Sequence, residues 1–169
     1  MRAAVVMSEW SRRNLFLLLC SVALLQTGAH MSQSFVNYPA WHLIDSESFP
    51  AYHWAISIRA GAFLLVPRIV EILIGLTVLR FRPQAIGRWV LLLGIGLALG
   101  AMLSTVLIQR PIHRQLDIES NTPVLLSRLM VTDWIRNSLE FARVALYLGG
   151  LSKLIAPRAR PEQERAVRA

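Results

Sequence analysis

Apolar residues gather in four long runs along the chain, near 14–36, 60–80, 89–110 and 133–156. Each approaches or exceeds the roughly 20 apolar residues that carry a helix across a bilayer. In lipid every backbone polar group must be satisfied internally, and runs this unbroken lack the alternation of barrel strands, so all four are predicted as helices. The expected fold is all-α: an integral membrane four-helix bundle over 1–156 and a polar, disordered tail over 157–169.

Polar residues interrupt these runs at helical spacing. Gln26, His30, Gln33 and Asn37 share one face of the first span, which is expected to end before Pro39. Thr105, Gln109 and His113 repeat every four residues at the end of the third span and beyond it. The stretch TDWIRNSLEFAR, 132–143, heads the fourth span and places Asp133, Arg136, Asn137, Glu140 and Arg143 on a single face. In the second span Arg68 and Glu71 follow Pro67, a predicted kink that frees backbone carbonyls.

Charge then orients the spans. The net charge is +8 with 54% hydrophobic residues and a mean hydropathy of +0.47. Basic residues concentrate before the first span (Arg2, Arg12, Arg13), around the 81–88 connection (Arg80, Arg82, Arg88) and at the C-terminal end (Lys153, Arg158, Arg160, Arg165, Arg168). The other two connections are poorer in Lys and Arg for their length, so the positive-inside rule puts both termini in the cytoplasm and the bundle in the plasma membrane. Anchoring of cytoplasmic ends accounts for the charge, and no nucleic-acid partner is expected. SRRNLFLLL resembles a twin-arginine export signal, but three further spans and a polar face that continues in register favour a retained helix.

With this orientation the polar faces of all four spans converge on the outer half of the bundle. A rise of about 1.5 Å per residue puts Arg68 level with Glu140 and Glu71 level with Arg143. Two ion pairs across the bundle are expected, because an isolated charge at mid-bilayer costs at least about 2.5 kcal/mol. Polar groups can simply hold helices together; six ionisable groups with two histidines also fit a polar cavity. In the third span Gly96, Gly100 and Ser104, with Gly94 and Ala101, predict a close helix approach.

The exterior connection between the first two spans is rich in aromatics, and Trp41, Tyr52 and His53 within it are candidates for a lid as well as for interfacial anchoring. None of the four histidines forms a metal-ligand pair, Cys20 is the only cysteine, and no nucleotide, flavin, haem or metal fingerprint is present, so the cofactor is unknown.

Several segments together carry a resemblance: QSFVNYPAW, FPAYH, VPRIVE, QRPIHRQL and DWIRNSLEFAR. Their order resembles a group of small bacterial four-helix membrane proteins, most of unknown function, with Tyr-Pro-x-Trp, Phe-x-x-Tyr-His, Gln-x-Pro-x-His and Asn-Trp-x-Arg segments. The matching residues here are Tyr38, Pro39 and Trp41; Phe49, Tyr52 and His53; Gln109, Pro111 and His113; Trp134 and Arg136. Asp133 stands where that group has Asn, and Glu140 where it has an aromatic residue. The group is similar in turn to the anthrone-oxygenase-like membrane proteins, which oxidise polycyclic aromatic molecules without a classical cofactor. The resemblance implies an oxidoreductase for a lipophilic small molecule. In that reading His113 or His30 is the general base, Arg136 stabilises a phenolate or enolate, and Asp133 or Glu140 sets their protonation. The alternatives are a solute or proton carrier using Arg68, Glu71, Glu140 and Arg143, which would call for a homo-oligomer, or a structural membrane subunit.

Overall fold

The computed structural model describes residues 7–156, so the C-terminal tail and its basic residues lie outside the described residues. All described regular structure is helical: α1 (Glu9–Ser32), α2 (Tyr38–Ala40), α3 (Phe49–Arg80), α4 (Arg88–Ser104), α5 (Arg110–Glu119) and α6 (Pro123–Ile155). A π-turn at Gln33–Asn37 joins α1 to α2, which continues into a 3-10 turn at Trp41–Leu43. A second π-turn, Thr105–Gln109, joins α4 to α5. The chain therefore makes four antiparallel rods. Three, Glu9–Leu43, Phe49–Arg80 and Arg88–Glu119, are long and apolar enough to cross a membrane. The fourth, α6, is as long, at 33 residues, but interrupted by charges on its inner face.

Two expectations about length are corrected. The first helix does not stop before Pro39, and the fourth begins at Pro123, so 132–143 is the middle of α6 and not its head. Proline lacks an N–H and its ring crowds the carbonyl four residues back. The π-turns meet that demand: the residue before each proline, Tyr38 or Arg110, donates five residues back, to Gln33 or Thr105, just before Pro39 or Pro111. The connections at the Trp41 end of the bundle accordingly shrink to 44–48 and 120–122, and Trp41, Tyr52 and His53 stand on helical segments where a loop was expected.

Around the bundle α1 neighbours α3, α3 neighbours α4, α4 neighbours α6 and α6 returns to α1. Between α4 and α6 the Tyr147 ring packs directly on Gly94, where a Cβ would overlap it. Small residues do bring the helices together, but through Gly94; Gly96 faces open space, because the buried face of α4 runs through Leu91, Gly94, Ala98 and Ala101. Two apolar clusters close the ends of the interior. Phe16, Leu19, Cys20, Val78, Leu91 and Tyr147 fill the end that holds the 81–87 connection. Trp41, Phe49, Ile112, Leu116, Leu126 and Leu129 fill the other, where the Asn121 amide donates to the carbonyls of Trp41 and Ile44 at 2.8 and 2.7 Å. Between them lies a polar band.

Candidate functional site

The polar band begins with a closed ring of charges. Arg68 and Glu71 project from α3 and Glu140 and Arg143 from α6, helices that stand diagonally opposite. Arg68 pairs with Glu71 (2.7 Å) and with Glu140; Arg143 pairs with Glu71 (3.0 Å) and with Glu140. Both cross-bundle pairs expected from depth are present, and the two pairs within helices close an alternating square. Thr27 donates to Glu140, and Arg143 donates to Thr27 and to the Ala23 carbonyl. All four side chains of the ring are at least 96% buried. Burial of this kind is tolerable only because every charge faces opposite charge.

A second polar layer lies farther along. The Arg136 guanidinium meets Asp133 at 2.5 Å, and Asp133 also accepts from Ser34 and from the Asn137 amide (3.2 Å). Gln26 donates to the Leu64 carbonyl at 2.6 Å, in the turn that Pro67 interrupts, and lies 3.4 Å from the His30 ring. Gln109 is fully buried, 3.4 Å from the Thr132 hydroxyl.

The third layer is aromatic and histidine-rich. His53, fully buried, is wedged against Trp41 and Phe49. Its Nδ1 lies 2.6 Å from an Asp117 oxygen and its Nε2 lies 2.9 Å from His113 Nδ1. Tyr38 and Trp41 pack on His113.

A cavity of about 590 Å³ joins these layers. Its deep wall is formed by Gln26, His30, Arg68 and Arg136, and its outer wall by Gln33, Tyr38, Trp41 and His113. Its mouth opens between α3 and the α4–α5 rod, bordered by the exposed Trp54, Ile58 and Leu65 on one side and Val106 and Arg110 on the other. Among the described residues, His30 Nδ1, Trp41 Nε1 and Arg136 Nε are buried without a hydrogen-bond partner, and all three belong to side chains that line the cavity. Buried polar atoms are rarely left unpaired. Two of the three, Trp41 Nε1 and Arg136 Nε, are donors.

The structure thus gathers His113, Arg136, His30, Gln26, Gln33 and Arg68 at one cavity and sets Asp133, Asn137, Glu71, Glu140 and Arg143 behind it as partners. Trp41 forms wall in place of the expected lid, and Tyr52 is exposed on α3, outside the cavity lining. Trp134 is exposed too, edge-on to Phe35. Asp117 was missed because the third helix was expected to stop near residue 110. Carried past Pro111, that helix places His113 and Asp117 one turn apart on one face. Among the described residues no group of three or more His, Cys, Asp or Glu is arranged to hold a metal ion. Comparison with protein-family models, curated proteins and solved structures finds no match for this chain.

Proposed function

We propose that this chain is an integral membrane enzyme of the plasma membrane, with both termini cytoplasmic, that takes a lipophilic aromatic molecule from the bilayer into the α3/α4–α5 cleft and oxidises it. The observation that carries the reading is the cavity itself: an apolar mouth on the outside of the bundle leading to Arg136, His30 and His113. The surrounding surface supports it, since Phe63, Ile69, Leu73, Leu93, Leu103 and Ile135 are exposed while six ionic side chains are buried, an arrangement suited to lipid outside and not to water.

The chemistry that fits these groups is proton abstraction. A carbonyl conjugated through two flanking aromatic rings to the CH₂ that bridges them, as in anthrone, acidifies that C–H; His113 takes that proton and the Arg136 guanidinium faces the oxygen on which enolate charge develops. Dioxygen is the oxidant. It adds at the deprotonated carbon, forming a C–O bond, and loss of water leaves a second carbonyl; anthrone plus O₂ gives anthraquinone plus H₂O in balance. Passage of a solute or proton is the reading that buried charges also suggest. The charges of the ring pair with one another, and the apolar cluster around Phe16, Leu19 and Tyr147 lies beyond it, which supports a sealed bundle with one-sided access.

The test is oxygen uptake by purified protein in lipid nanodiscs supplied with anthrone, read beside the absorbance of the quinone product. Wild type is expected to exceed empty nanodiscs, and His113→Gln and Arg136→Gln to lose about 100-fold or more in rate, the scale of a missing general base or charge stabiliser. Uptake no greater than in empty nanodiscs, or variants as active as wild type, would overturn the oxygenase reading.

A further inference from the structure

We propose that Asp117 and His53 are positioning residues that fix the tautomer of His113 and carry its proton through the buried His53 ring to the partly exposed Asp117 carboxylate; this rests on the reading of His113 as the base. With Asp117 ionised and His53 neutral, the geometry allows one assignment. An ionised carboxylate only accepts hydrogen bonds, so the His53 nitrogen 2.6 Å from Asp117, Nδ1, carries a proton. A neutral His53 then presents a lone pair at Nε2, and His113 Nδ1, 2.9 Å away, must be the donor. The lone pair of His113 therefore lies on Nε2, the nitrogen left for the cavity that this side chain lines.

Three further observations fit a relay. The two imidazole planes lie within 16° of each other, with the facing nitrogens 2.9 Å apart. His53 has no exposed surface and is held between Trp41 and Phe49, so water cannot replace either of its partners. Asp117, at the far end, is 38% exposed in its side chain and also lines the cavity, so the chain runs from the His113 ring to an accessible carboxylate. Among the described residues, the Ser57 hydroxyl, 3.3 Å from His53 Nε2, is the one other polar contact of that ring. Arg68, Arg110, Arg114 and Arg136 are the cations among the described residues that line the same cavity.

In operation, His113 Nε2 accepts a proton from the ligand while the proton on its Nδ1 passes to His53 Nε2. The positive charge then sits on His53, against the Asp117 carboxylate, and His113 remains neutral beside the new anion. A further shift from His53 Nδ1 to Asp117 delivers the proton to that partly exposed carboxylate. When His113 Nε2–H is returned to product the shifts run backward and both rings recover their starting tautomers.

The experiment is ¹⁵N NMR of histidine-labelled, ligand-free protein in nanodiscs at neutral pH, with the His113 signals assigned by their loss in His113→Gln. Wild type is expected to show Nδ1 protonated and Nε2 bare. Asp117→Leu and Asp117→Ala, at a partly exposed position, are expected to turn this into a tautomer mixture while the His30 signals stay put, and Asp117→Glu to restore it. A wild-type His113 protonated at Nε2, or one unchanged in both Asp117 variants, would overturn the relay. That result leaves anthrone turnover untouched, whereas absent turnover with the expected tautomers overturns the reaction and keeps the tautomer assignment alone.

Discussion

At the scale of residues, the charged ring is the feature on which stability turns. Each of its four members touches two opposite charges, so Arg143→Ala or Glu140→Ala leaves buried charge uncompensated and should cost about 3–5 kcal/mol. The ring also changes what a charge swap predicts. Exchanging Glu71 and Arg143 keeps two opposite-charge contacts but turns the Arg68–Glu71 and Glu140–Arg143 sides into like-charge contacts. That double variant should be clearly less stable than wild type, while inverting all four charges keeps the alternation and should recover most of the loss. Thermal unfolding of the three proteins in one detergent checks this; a double swap as stable as wild type would mean two isolated pairs. The cross-bundle pairs were legible from sequence because depth follows from residue count along straight helices. The sides within each helix were equally legible at a spacing of three, but ion pairing between neighbours on one face was not weighed against pairing across the bundle.

At the scale of elements, the two π-turns set the outer geometry. A π-turn holds one residue more than an α-turn, so that residue can be removed without rotating the helix beyond it. Deleting Val106, exposed within Thr105–Gln109, should convert the turn to α-helix and keep Gln109 and His113 on their face. Deleting Ile135, equally exposed but in the regular α6, turns one end of the Asp133–Arg143 face by about 100° relative to the other and should abolish folding. Yield of monodisperse protein and its unfolding midpoint separate these outcomes, and equal damage from both deletions would contradict the role given to the π-turn. Here the sequence was misleading. Pro39 read as a helix end, since a proline removes one hydrogen bond, the third span was expected to reach only about 110, and nothing in the residues themselves signals that a widened turn will absorb each proline. The helical extensions past these prolines carry Trp41 and Asp117, and His53 touches both, which is why this layer of the site was the least legible.

At the scale of the molecule, four rods with polar interior faces and apolar exteriors follow from the periodicity of the spans, and that much could be read directly. The orientation of the bundle in the membrane rests on the basic residues. A cysteine placed at the exposed Ser46 should react with a membrane-impermeant maleimide in intact cells, and one at Gln84 only after lysis; the native Cys20 is buried and contributes little background. The reverse pattern would invert the bundle and move the cavity to the cytoplasmic half. The cavity itself depends on how α3 and the α4–α5 rod part, which no single segment encodes.

That cavity is the centre of the account, and its occupancy can be measured without knowing the reaction. Gly61 lines the cleft on α3 with open space where a side chain would begin, so Gly61→Trp should fill the cleft and leave the fold intact. The measurement is saturation binding of a fluorescent lipophilic phenol, 1-pyrenol, to wild type and Gly61→Trp in nanodiscs. The predicted result is one saturable site per chain in wild type, weakened about tenfold or more in Gly61→Trp, a loss of at least about 1.4 kcal/mol, with no change in unfolding midpoint. Equal binding by the two proteins, or no saturable binding by either, would contradict a ligand site in this cleft.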